Sequence, residues 1–135
     1  MRYHDWHLDG YSVSDGGKSL VLHLLWDYPG QVRERSDIRF SDVALYHFTH
    51  TGGAIITAID EIPVATLIRQ IEGKLVEWGR LHGLDGWRSS ANDYKERLEA
   101  AGLKAWRIES AIGFSGFVIA REVEELASNT LEPQS

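Results

Sequence analysis

The chain contains no cysteine. That removes disulfides, thiolate zinc sites, iron–sulfur clusters and a cysteine nucleophile from consideration. It has 3 prolines and 1 methionine, and no run approaches the roughly 18 apolar residues of a membrane-spanning helix. Basic charge is scarce as well: 14 Lys and Arg stand against 20 Asp and Glu, a formal net charge of −6. The longest basic grouping, Arg33 to Arg35, is interrupted by Glu34. Duplex phosphate is held largely by clustered Lys and Arg that displace counterions, so nucleic acid is not an expected partner. No basic stretch followed by an apolar run opens the chain, so neither a signal peptide nor a membrane is expected. The cytoplasm of a bacterial cell is the simplest placement.

What is present is core-forming material. Of 135 residues 43% are hydrophobic, with 5 Trp, 5 Tyr and 4 Phe. At this length folding buries roughly two thirds of the surface of the unfolded chain, enough for one self-sufficient domain.

The first half carries a period of two. "YHDWHLDGYSV" reads as a strand ending in the turn "SDGGKS", where Asp15, Gly16 and Gly17 tolerate positive φ. In "KSLVLHLLWDY", Leu20, Leu22, Leu24 and Trp26 face one way, and the opposite face is itself half apolar, which marks a central strand. "IRFSDVALYHF" changes phase near Ser41–Asp42, as a bulge would cause. "THTGG" reads as a turn before a fourth strand, "AIITAIDEI", giving an antiparallel meander.

From Pro63 the period becomes 3.6. Val64, Leu67, Ile68, Ile71, Leu75, Trp78 and His82 mark one helical stripe, with Gly73 inside it and Gly83 as its cap. Ser90 and Asp93 form a capping box for a second helix with stripe Tyr94, Leu98 and Ala101, ended by Gly102. "LKAWRIESAIGFSGFVIAREV" reads as two further strands with a turn between Gly113 and Gly116. The expectation is one α+β domain over residues 1–123, a mostly antiparallel sheet of about six strands with two helices on one face. Residues 124–135 read as a polar, frayed tail.

Ligand-type side chains crowd the opening "MRYHDWHLDG". On a strand, Asp5, His7 and Asp9 share one face, while His4, Trp6 and Leu8 take the other. A metal site needs three or four converging ligands, and His4, Asp5, His7, His47 and His50 are the set that could supply them. The simpler reading packs Trp6 and Leu8 inward and leaves the charges in water, so no metal or other cofactor is expected. "DGGKS" is no phosphate loop, because position 12 is Ser and a strand follows Lys18. "GFSGF" lacks the G-x-S-x-G spacing, and no nucleophile–base–orienter set is evident, so no catalytic residue is assigned. Asp60 and Glu61 precede a helix, where acidic groups favour its dipole. Aromatics point to an interface: Trp87, Tyr28 and Trp6, with Asp5 and Asp9, are the expected binding surface.

The order of His4–Asp5, "SLVLHLLWDY", "IRFSDVALYHF" and "AIITAIDEI" resembles small bacterial proteins that begin with a His-Asp-Ser element and carry a hydrophobic-x-F-x-x-V strand. Some of these are grouped with immunity proteins of polymorphic toxin systems. The resemblance covers residues 1–62 and extends to "GFSGFVIA", with Trp6 standing where such proteins usually have Ser. It implies a framework more directly than a function. Together with the acidic balance and the missing catalytic set, it leads to the expectation of a non-enzymatic protein-binding module, in its specific form an immunity protein that neutralises a toxin. A scaffold pairing with a second copy of itself through an exposed sheet edge is a separate expectation. The competing expectation is a metal-dependent or small-ligand enzyme built on the N-terminal His and Asp residues.

Overall fold

Alternating side chains build the first three strands of the computed structural model, which describes residues 3–84, 90–126 and 129–131. Strands β1 (His7–Ser14), β2 (Ser19–Trp26) and β3 (Arg33–Ser41) form an antiparallel meander. Leu20, Leu22 and Leu24 are fully buried on its inner face, opposite Phe40, Ile38 and buried Ser36. A single 3₁₀ turn, Asp15–Gly17, closes the first hairpin with positive φ at all three positions, as the "DGG" signal required.

The remaining strands are β4 (Leu45–Ile62), β5 (Lys104–Ala120), β6 (Glu122–Glu125) and β7 (Asn129–Leu131). Together with β3 they make one long ladder: β3 pairs with β6 and β7, and β4 pairs with β5. It bends where Asp42 takes φ 54°, held by Arg121 N–H donating to the Ser41 carbonyl at 3.0 Å and Ala44 N–H to that of Ile119 at 2.8 Å. The phase change near Ser41–Asp42 is this corner. The sheet curls, and β4 meets β1 at His7↔Ile55 and Leu8↔Ala54, giving the order β5-β4-β1-β2-β3-β6.

Two expected turns are absorbed into the ladder. "THTGG" lies inside β4, and Gly113–Gly116 lies inside β5. Positive φ serves a bulge as well as a reversal, and only the partner strand distinguishes them. Here Gly113, at φ 82°, lies so close to the Gly53 carbonyl that a β-carbon would collide with it. Of the tail expected to fray from residue 124, Glu124 and Glu125 belong to β6 and Asn129–Leu131 to β7. Glu122 to Glu125 pair with β3, Val123 packs on the core and Glu124 pairs with Arg39, because a ladder draws on backbone groups that polar side chains do not reveal.

The α+β expectation is met: an antiparallel sheet with two helices on one face. Helices α1 (Val64–Leu81) and α2 (Ala91–Ala100) bury Val64, Leu67, Ile68, Ile71, Leu75, Tyr94 and Leu98 against Ala105, Phe117 and Ile119 of β5. Ser90 caps α2 by accepting from Asp93 N–H at 3.1 Å. A second core fills the concave side of the curl, where Trp6, Trp106, Phe40 and Phe114 pack with the inward leucines. The β4–β5 ladder therefore separates two cores. Among the described residues no helix is long and apolar enough to cross a membrane.

Candidate functional site

The chain enters the sheet through residues 3–6, which are pinned rather than extended. Asp5 takes φ 70°, its N–H donates to the Ile56 carbonyl at 2.8 Å, and Ile56 N–H returns a bond of 2.8 Å to the Trp6 carbonyl. Trp6 is 4% exposed, edge-on to Tyr3 with ring centroids 5.3 Å apart, and is a core residue rather than a surface anchor. The amphipathic body of an indole explains both readings, since interface and core demand the same apolar area. Tyr28 is half-buried: its hydroxyl donates to the Asp5 carbonyl at 2.5 Å and its ring lies 5.0 Å from that of His7. Asp5 and Asp9 are exposed, and Asp9 pairs with Arg35 at 3.1 Å. Trp87 lies outside the described residues.

The histidines and acids are scattered over different surfaces. His4 pairs with Asp5 at 3.2 Å, His47 lies 4.9 Å from Trp78 on the helix side, and His50 packs on Phe114 at 5.4 Å. Among the described residues no three His, Cys, Asp or Glu converge on a point that could hold a metal.

Three other features were not evident in the sequence. The first is a split in the sheet. β1 pairs with β4 only at His7 and Leu8, then diverges at the register shift between Leu8 and Gly10. From Asp9 to Ser14 the strand has β2 on one side and no strand on the other among the described residues. Tyr11 and Val13 point inward, opposite Leu22 and Leu20, yet they are 39% and 41% exposed because β4 has peeled away. Behind them the slot is floored by aromatic rings, with Tyr11 5.0 Å from Phe48 and 6.5 Å from Phe114.

The second is a groove of about 360 Å³ between α1 and the β4–β5 ladder, lined by His47, Lys74, Arg107 and Gln70 over Leu67 and Phe117. Burial, and after it the Lys74 ammonium, holds the His47 pKa below its ordinary value of 6.5, so the ring stays neutral at neutral pH.

The third lies on the outer face of the meander. His23 is directly opposite Asp37, and its Nδ1 lies 2.9 Å from Asp37 Oδ1. Its Nε2 lies 2.5 Å from Ser12 Oγ. With the proton on Nδ1 donated to the carboxylate, Nε2 accepts from the serine hydroxyl. These are the connections of a nucleophile, a base and an orienting acid, a set not recognised from the linear sequence. The signal was present but indirect. A "DGG" turn fixes how β1 meets β2, and the β2–β3 loop then decides which residue faces His23. Comparison with protein-family models, curated proteins and solved structures gives no match.

Proposed function

We propose that the protein is a binding module that takes an extended, basic segment of another protein into the slot between β1 and β4. One observation carries this reading: two inward-facing side chains of β1, Tyr11 and Val13, are left 39% and 41% exposed where that strand has one neighbouring strand among the described residues. A one-sided strand leaves alternate N–H and C=O groups unpaired, and an added strand satisfies them. The aromatic floor supplies pockets for every second side chain of the guest. A net charge of −6 favours a basic guest and speeds its encounter. The specific form, an immunity protein that neutralises a toxin in the cytoplasm, draws support from the resemblance over residues 1–62.

A photo-crosslinking side chain placed at Val13 in the source cell, with the exposed helix position Val76 as control, tests this reading. The expected result is a discrete Val13 adduct with one other protein. Purified, that protein should bind, and the Tyr11→Ser, Val13→Ser double variant should weaken binding at least ~10-fold, the loss typical of a central anchor. Identical adducts from both positions, or adducts only with a second copy of this chain, contradict it.

A further inference from the structure

We propose that Ser12 is a reactive nucleophile, activated by His23 and oriented by Asp37, that accepts acyl or phosphonyl groups from small activated electrophiles. The site is built by strand register. The shift at Asp9 in β1 sets Gly10 opposite His23 and Ser12 opposite Val21, which places the serine hydroxyl diagonally across from the imidazole. Asp37 is the direct cross-strand partner of His23 on the far side. All three side chains therefore lie on one outward face and run in a line across three strands.

The neighbouring charges leave this line undisturbed. Arg35 and Arg39 flank Asp37 on β3, and each is engaged by a carboxylate from another strand, Asp9 and Glu124 respectively. Asp37 is thus left to hold the imidazole. The cross-strand pairing of His23 with Asp37 uses one ring nitrogen, and the second is within hydrogen-bonding distance of the Ser12 hydroxyl. Access is open at the nucleophile, which is exposed, while the imidazole and carboxylate side chains are each 30% exposed.

The chemistry balances without a cofactor. Ser12 Oγ forms a bond to the acyl carbon or phosphorus while its proton passes to His23 Nε2. The bond to the leaving group breaks, and the imidazolium returns the proton to that group. For an ester, water then repeats the sequence in reverse roles and releases the acid.

The test is labelling of the intact protein with a fluorophosphonate probe, read by peptide mass spectrometry, together with p-nitrophenyl acetate hydrolysis. Ser14 provides an internal control, being another exposed serine on the same strand. The expected adduct is on Ser12 and not on Ser14. His23→Ala should slow labelling at least ~100-fold, the usual contribution of a general base. Asp37→Asn should slow it by a smaller factor, and Ser14→Ala should leave it unchanged. Circular dichroism of each variant confirms that it is folded. No adduct at Ser12, equal labelling of Ser12 and Ser14, or Ser12 labelling indifferent to His23→Ala would each overturn the assignment. None of these outcomes bears on docking at the slot.

Discussion

Leu22 shows how much one side chain carries. It is fully exposure-free on the central strand of the meander, facing Ile38 on one side and Tyr11 on the other. Leu22→Ala removes buried methyl groups and leaves a cavity, at an expected cost of about 2–5 kcal/mol, read by the midpoint of urea unfolding. This residue was legible beforehand, because a strict two-residue period admits only one assignment of its faces. His47 was not legible, since its surroundings come from α1 and β5, far along the chain. Its pKa is lowered first by burial and then by Lys74. The folded state therefore binds this proton less readily than the unfolded chain. Stability is unaffected by His47 above pH 6.5 and falls as pH drops through 6.5 toward the lowered folded value. An NMR titration should place the His47 midpoint below 6.5, with Lys74→Gln moving it part of the way back. A midpoint at or above 6.5 contradicts the burial described for this ring.

At the scale of elements, glycines divide by what surrounds them. Gly73 sits inside α1 with open space where a β-carbon would go, so Gly73→Ala should stabilise by about 0.5–1 kcal/mol. Gly113 combines φ 82° with a close Gly53 carbonyl. Gly113→Ala should therefore cost about 1–2 kcal/mol from left-handed backbone alone, and more from the collision. Thermal unfolding of the two variants should move in opposite directions. The helices were readable in outline because a 3.6 period and a Ser90 cap are local signals. The length of β4 and β5 was not, because glycine near Thr51 or Phe114 signals left-handed backbone without saying whether the chain reverses. The same limit hid β6: nothing in "EVEE" advertises a strand until β3 offers its edge.

For the whole molecule, the ladder from Arg33 to Ile62 against residues 104–131 is the frame, and the β1–β2 hairpin is its filling. The hairpin joins that frame fully through β3 but through only two residues of β4. A sequence period can announce that Tyr11 and Val13 belong to an inner face. It cannot announce that β4 pairs with β1 only at His7 and Leu8. The open slot is consequently a property of the assembled sheet, and the docking role proposed for it rests on β1 being one-sided. Residue-resolved hydrogen exchange tests this most directly, run on the free protein at low and at high concentration. The account predicts that alternate amides between Asp9 and Ser14 exchange rapidly at both concentrations while those of β2 and β3 stay protected. Uniform protection of residues 9–14 would show that the edge is already covered, and would contradict it.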